Sequence, residues 1–325
     1  TCYCVFAPEP TMNGHVLAIA LGNSLLWSLY LLLTRHVVSG AQLDAWAYTL
    51  VQLLSAGLAM LWLGRRTAGS WSGLLAPWTI AYAFMRVIIN GATSAAIVWL
   101  AVTQSTLLAT LSVLIGAAAS WMLTRRAPAR GDWPGLALLA VGIAAFAVAL
   151  VSDSAWRGML WLIVSETTAV AASWMIAYHP RNRVTDLAAR SRFTGEILVA
   201  ASLAFILVWS LAGLAGLMAS PWTGAGDAFG RIELWFYAVL AGLLFRAPGT
   251  WLGFWTINTT GVQTYLIALT AMPFFAIALE AVAAHLGWLA PPGLSTAEWL
   301  AAAIILAGAK WLIWVRLKSP SGVAP

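Results

Sequence analysis

Two arginines stand inside apolar runs that are long enough to cross a lipid bilayer. Arg86 lies in the stretch YAFMRVIINGATS, and Arg246 lies in LLFRAPGT. A cation near the middle of the hydrocarbon costs about 2.5–3.5 kcal/mol on insertion scales, so each guanidinium needs a partner. Its planar fork of N–H donors suits a carboxylate or a phosphate group. Both residues are therefore predicted to bind substrate; the alternative is that they pair with a carboxylate or with helix carbonyls and lock the helices together.

Glu166, in WLIVSETTAVAASW, could pair with these cations in place of a substrate, because in the sequence it is the only carboxylate deep in an apolar run. If it stands alone, it can carry a coupling proton. If it pairs with Arg86 or Arg246, it becomes a gate or a structural bridge. Both roles stay open at this point. Glu280 falls toward the end of a later apolar run and is expected at the membrane interface.

A second set of candidates consists of polar and aromatic side chains. Asn90 follows Arg86 by four residues and so shares its helix face. Among the 20 tryptophans, most are expected to anchor span ends at the membrane surface. The deeper ones are predicted to contact substrate by stacking or cation–π contact: Trp27, Trp99, Trp174 and Trp255. The four histidines share no helix face, so neither a metal site nor a cofactor is predicted.

The composition indicates the class of protein. Hydrophobic residues make up 62% of the chain and charged residues 9%, with a mean hydropathy of +0.86. So few charges cannot cover two water-facing domains, and the chain is predicted to be an integral membrane protein. The net charge of +6 is interpreted as a consequence of membrane topology, because basic residues concentrate in cytoplasmic loops. The predicted partners are the lipid bilayer and a small-molecule substrate, and no nucleic acid is predicted.

Apolar windows of about 20 residues are predicted to span the bilayer as helices. Ten such windows predict an all-α integral membrane fold, at residues 14–34, 44–63, 75–97, 105–123, 133–151, 158–178, 194–218, 234–256, 261–284 and 296–316. Residues 1–13 are expected to form an N-terminal extension, 152–157 a linker and 319–325 a C-terminal tail.

Basic residues between the spans predict the orientation. One set of loops contains Arg65, Arg66, Arg125, Arg126, Arg130, Arg181, Arg183, Arg190, Arg192, Lys310, Arg316 and Lys318, whereas the other set contains Arg35, Arg157 and Arg231. By the positive-inside rule, both termini are expected in the cytoplasm of a bacterium, with the protein in its inner membrane.

The chain also predicts an internal repeat. Five spans reverse the direction of a chain, so homologous halves at 14–151 and 158–318 would have inverted topology. Sliding the sequence by 156 residues places Trp99 on Trp255 and Asn90 on Arg246. Arg86 then lies one helical turn from the position that matches Arg246, and the two arginines are expected at similar depths on related helices.

This arrangement resembles the drug/metabolite transporter superfamily, in its EamA-like branch. The resemblance rests on the order of the spans, on the short polar links TQST and NTTG, and on the apolar final helices LALLAVGIAAFAVAL and LAAAIILAGAKWLIW. Pro273 in TAMPFF matches a proline of the family's ninth helix. The first half lacks the equivalent proline, and two midplane arginines are more similar to the phosphate-sugar and nucleotide-sugar branches.

The resemblance implies a secondary exporter that works by alternating access, and not an enzyme. A small anionic or amphipathic metabolite, such as an amino acid, is the expected substrate, with a proton or a counter-substrate as the coupling partner. The alternatives are a carrier of a phosphorylated metabolite, a non-transporting membrane assembly or scaffold protein, and a membrane enzyme acting on lipid phosphates.

Overall fold

The computed structural model describes residues 14–67, 76–125, 127–150, 154–179, 181, 186–214 and 228–318. Within these ranges all regular secondary structure is helical. The α-helices are α1 Gly14–Arg35, α2 Ala45–Leu63, α3 Pro77–Trp99, α4 Val102–Ala109, α5 Leu111–Thr124, α6 Trp133–Ala149, α7 Ala155–Tyr178, α8 Leu187–Leu214, α9 Ile232–Ala241, α10 Ala247–Thr260, α11 Val262–Leu269, α12 Met272–His285 and α13 Thr296–Lys318. The predicted N-terminal extension and C-terminal tail lie outside the described residues.

In the described part of the chain, nine helical segments are long and apolar enough to cross a membrane. Four of them are built from consecutive helices, namely Gly14–Gly40, in which a π-helical turn at His36–Gly40 follows α1, and Val102–Leu123, Ile232–Thr260 and Val262–His285. A further apolar helix, α6, has 17 residues and is shorter than these spans. The protein is thus a multi-pass, all-helical membrane protein, as the composition predicts.

Two groups of basic residues that were assigned to loops lie within helices. Helix α8 begins at Leu187 and not at residue 194, so it includes Arg190 and Arg192. The extra turns are stabilised by Glu196, which is 1% exposed and forms ion pairs with Arg181 (3.3 Å) and Arg192 (3.1 Å). Helix α13 likewise continues to Lys318 and contains Lys310 and Arg316.

The fourth and ninth spans are interrupted near their centres. The first break lies at Thr110 between α4 and α5, and the second lies at Thr270 and Ala271 between α11 and α12. Pro273 has no N–H and cannot continue the hydrogen-bond ladder of α11. At both breaks a threonine hydroxyl donates to the carbonyl three residues earlier, over 2.6 Å in each case, from Thr110 to Leu107 and from Thr270 to Ile267.

The eighth span changes its winding just before a proline. Residues Gly242–Arg246 form a π-helical turn between α9 and α10. Pro248 lacks the N–H that would bond to the carbonyl of Leu244, and a π turn accommodates this defect while α10 continues the span. The turn places Arg246 at the junction of the two helices.

Small residues allow close contacts between antiparallel helices. A Cβ atom on Gly57 of α2 would lie 2.9 Å from the backbone nitrogen of Val199 in α8. A Cβ atom on Gly142 of α6 would lie 2.9 Å from the nitrogen of Ile305 in α13. Such close contacts stabilise helix association in lipid, because an apolar side chain gains little free energy when it leaves the lipid tails to pack against another helix. Helix α2 thus packs on α8, α6 packs on α13, and α3 packs on α7.

Candidate functional site

A cavity of about 150 Å³ lies between the helices at the centre of the bundle, and both apolar-run arginines line it. Its walls come from α1, α3, α7 and α10, and from the interrupted spans α4–α5 and α11–α12. On α3, Tyr82, Arg86 and Asn90 follow one another at intervals of four residues, which places them on one helix face. Helix periodicity on this face therefore brings the predicted side chains together.

Arg246 is held on all sides. Its side chain is 1% exposed. Nε and Nη2 donate to Gln52 Oε1 over 3.2 and 3.0 Å, and Nη1 donates to Asn90 Oδ1. The guanidinium also lies 4.2 Å from the ring centre of Tyr30 and 4.8 Å from that of Trp27. These contacts tie α1, α2, α3 and α10 together at one point.

Arg86 has far fewer partners. It is half-buried and its Nη2 donates to Thr250 Oγ1 over 3.2 Å. Its Nε is buried and has no hydrogen-bond partner among the described residues. The nearest ring contact is with Phe254, at 6.0 Å from guanidinium carbon to ring centre. Arg86 therefore presents unused donors to the cavity.

The hydrogen bonds of the two arginines are reciprocal under one offset. Helices α4 and α11 each contain eight residues and begin at Val102 and Val262, which are 160 positions apart. The same offset places Arg86 on Arg246 and Asn90 on Thr250. Arg86 donates to Thr250, and Arg246 donates to Asn90. This offset differs by four positions, about one helical turn, from the offset of 156 in the sequence comparison.

Glu166 pairs with neither arginine in this structure, so of the two roles that the sequence left open the bridge is not the one seen here. It lines the same cavity from α7. Among the described residues it forms no ion pair. Ser112, on α5, lines the same cavity. The cavity thus contains a cation with unused donors and a carboxyl group that no cation neutralises.

Of the four deeper tryptophans, only Trp27 lines the cavity. Trp99 is the last residue of α3 and lies 5.4 Å from the guanidinium of Arg157. Trp174 stacks on Tyr178, with ring centres 5.9 Å apart. Successive residues on a helix turn by about 100°; Ser173 and Phe254 line the cavity, and their neighbours Trp174 and Trp255 are not among its lining residues.

Several lining groups were not predicted from the sequence. Tyr30, Tyr82 and Trp27 line the cavity, and their buried hydroxyl and indole N–H groups have no hydrogen-bond partner among the described residues. The spacing of Tyr82 four residues before Arg86 is a sequence signal that could have found it. Tyr30 and the acceptor Gln52 lie on α1 and α2, and only tertiary packing brings them to Arg246.

One end of the bundle is closed by a pair of charged residues. Arg35 Nη1 donates to the carbonyls of Ile97 (2.9 Å) and Leu100, where α3 ends. Glu280 accepts the N–H groups of Val102 (3.1 Å) and Thr103 (2.8 Å), where α4 begins. A cation at a helix C-terminus and an anion at a helix N-terminus both interact favourably with the helix dipole. Glu280 is 0% exposed, so its side chain is enclosed by the protein.

The opposite end of the cavity reaches Ile176, near the end of α7. His179, which follows α7, stacks on Phe193 with ring centres 4.6 Å apart and lies 3.3 Å from the hydroxyl of Thr79. Burial, followed by the neighbouring charge of Arg181, lowers the pKa of His179. The neutral imidazole is therefore favoured where α3, α7 and α8 meet.

No family model matches this sequence, and no curated protein matches it. Among solved structures, 28 chains match. One of them, described only as "Crystal structure of protein", aligns over 95% of this chain and 100% of its own length, with a TM-score of 0.59 and 19% sequence identity. At that identity the likeness shows the fold alone, and the chain shares this fold along nearly its whole length.

Proposed function

We propose that this protein is a secondary transporter that exports a small anionic or amphipathic metabolite, such as an amino acid, by alternating access around the central cavity. The observation that carries the proposal is the pair of ionisable groups in that cavity. Arg86 has unused donors, and Glu166 has no cation partner among the described residues. Ionisable groups at membrane depth that face a cavity generally mark substrate or ion pathways.

The scaffold alternative requires that the arginines close the cavity by pairing with Glu166. That pairing is absent between these described residues, and space remains beside Arg86. A phosphorylated metabolite is less favoured than a carboxylate. Three nitrogens of Arg246 already donate to Gln52 and Asn90, so Arg86 is the guanidinium with more donors left for a ligand.

We further propose that the fold consists of ten spans in two inverted halves, as in the drug/metabolite transporter superfamily. The equal lengths of α4 and α11 and the reciprocal hydrogen bonds of Arg86 and Arg246 support this arrangement. In it, α6 is the tenth span. Both termini lie in the cytoplasm, and the protein belongs to a bacterial inner membrane.

Flux measurements in proteoliposomes test the transport proposal. The panel contains amino acids, organic acids and phosphate esters, and the variants are Arg86→Gln and Arg246→Gln. Loss of a charge-assisted hydrogen bond is expected to lower kcat/KM for one carboxylate class by about 10- to 100-fold in Arg86→Gln. Arg246→Gln is expected to lower uptake as well, together with the yield of folded protein.

Arg130→Gln is the matched control, because Arg130 is exposed and the chemical change is the same. It is expected to transport like the unaltered protein. Equal saturable uptake by Arg86→Gln and the unaltered protein would remove the cavity arginine from the function.

A further inference from the structure

The two arginines related by the offset of 160 differ in how many donors are already in use. A guanidinium has five N–H donors. In Arg246 three nitrogens donate to the side-chain oxygens of Gln52 and Asn90, and two aromatic rings lie against the group. A residue so enclosed has little room for a further acceptor.

Arg86 differs from its counterpart in this respect. Its one hydrogen bond to a described residue joins Nη2 to Thr250, and its buried Nε has no such partner. Arg86 lines the cavity. A buried N–H without an acceptor is costly, so an acceptor entering the cavity removes that cost.

Tyr82 adds a second unused donor next to Arg86. Its side chain is 1% exposed, it lines the cavity, and its hydroxyl has no partner among the described residues. It precedes Arg86 by one helical turn on α3, so both donors lie on one face. An anion placed between them receives a charge-assisted hydrogen bond from the guanidinium and a neutral one from the phenol.

We propose that Arg86 and Tyr82 form the anion subsite in this conformation, that the group bound there is a carboxylate, and that Arg246 is a positioning residue. This inference rests on the proposed function and deepens it. Arg246 fixes Asn90 on α3 and Gln52 on α2, and it thereby holds α3 at the distance from α10 that keeps Arg86 facing the cavity. Arg86 and Arg246, which the offset of 160 relates, have different roles because Gln52 supplies an acceptor to Arg246.

Chemical modification of the unaltered protein tests the assignment without a known substrate. Purified protein in lipid nanodiscs is treated with methylglyoxal, a small reagent for arginine, and each modified residue is located by peptide mass spectrometry. Arg86 is expected to react at least about tenfold faster than Arg246, since donors held in hydrogen bonds are less accessible to a reagent. Arg65, which is exposed, provides the rate of a surface arginine.

Three small probes at equal ionic strength then define the ligand class. Propionate is expected to slow the modification of Arg86 about tenfold and to leave Arg65 unchanged. Propylammonium, of similar size and opposite charge, is expected to have no effect. Stronger protection by inorganic phosphate than by propionate overturns the assignment to a carboxylate. No protection by either anion overturns the subsite.

Two variants separate positioning from binding. Gln52→Ala removes the acceptor of Arg246 and is expected to raise the modification rate of Arg246 about tenfold. Because Arg246 then holds α3 less firmly, protection of Arg86 by propionate is expected to weaken. Tyr82→Phe removes one hydroxyl and is expected to weaken protection by propionate without changing the unprotected rate at Arg86. Equal rates at Arg86 and Arg246 in the unaltered protein contradict the division of tasks. If propionate protects Arg86 but the protein shows no measurable flux, the anion subsite is supported and the transport proposal fails. If the protein shows flux but propionate does not protect Arg86, the transport proposal is supported and the subsite fails.

Discussion

At the scale of single residues, Glu166 gives the cavity a second chemical function. It lines the same cavity as Arg86, and it forms no ion pair with any described residue. A buried charge without a counter-charge is costly. The protonation of Glu166 is therefore expected to depend on what occupies the cavity and on which side the cavity opens.

Glu166→Gln removes the titratable group and keeps the size of the side chain. We expect this variant to lose accumulation driven by a pH gradient, because no proton can be taken up or released at this position. Counterflow exchange of substrate is expected to remain, since it needs no net proton movement. Both quantities are measured in proteoliposomes with and without an imposed gradient.

Glu233→Gln provides the control for this variant, because the Glu233 side chain is 55% exposed and pairs with Arg231 at the surface. It is expected to keep gradient-driven uptake. Continued gradient-driven accumulation by Glu166→Gln would end the proposal that Glu166 carries the coupling proton.

At the scale of helices, glycine contacts set the distances around the cavity. Along α2 and α8, Gly57 meets Val199, Gly195 meets Leu61, and Gly64 meets Arg192, so the two antiparallel helices touch through their backbones. A Cβ atom on Gly195 would lie 2.6 Å from the nitrogen of Leu61. Backbone atoms cannot move aside as a flexible side chain can, so these positions tolerate no larger residue without a shift of the whole helix.

Gly57→Ala is expected to destabilise the protein by about 1–3 kcal/mol, the usual cost of overpacking. The added methyl group would meet Val199 and its backbone nitrogen at less than 3 Å. The measurement is equilibrium unfolding of the purified protein in detergent mixtures, with loss of helical circular dichroism as the signal.

Gly22→Ala makes the same chemical change in α1, where a Cβ atom would have no neighbour within 4 Å. This variant is expected to unfold at the same midpoint as the unaltered protein or later, since alanine favours a helix over glycine. Equal midpoints for Gly57→Ala and Gly22→Ala would show that the α2–α8 contact is not tightly packed.

At the scale of the whole molecule, α6 decides how many times the chain crosses the membrane. Its 17 residues reach roughly 25 Å, close to the hydrocarbon thickness of about 30 Å. It packs along α13, which is itself a candidate span, through Gly135, Gly142 and Gly308. A helix that lies along a membrane span is expected to cross with it.

The test uses single cysteines on either side of α6 in a protein whose native Cys2 and Cys4 are replaced by serine. Arg130→Cys and Ser154→Cys both fall at exposed positions beyond the helix ends. We expect an impermeant maleimide to label Ser154→Cys on intact cells and to label Arg130→Cys only after permeabilisation. Labelling of both positions from one side would show that α6 does not cross.

The sequence by itself determined the class of the protein and most of its helices, because apolar runs of membrane length fold as helices wherever water is absent. It also selected Arg86, Arg246, Asn90 and Glu166, since ionisable and polar groups are rare in such runs. Helix periodicity was sufficient to place Asn90 on the same helix face as Arg86, and all four residues line one cavity.

Only the tertiary structure decided how these groups are used. Gln52 lies 194 positions from Arg246, and no local pattern links them; their hydrogen bonds make Arg246 a fixed residue and leave Arg86 available. Likewise, Glu280 accepts the N–H groups of a helix that begins far away in sequence. The physical reason is that a polar group inside a membrane must find its partner within the protein, and which partner it finds depends on the packing of helices that are distant in the chain.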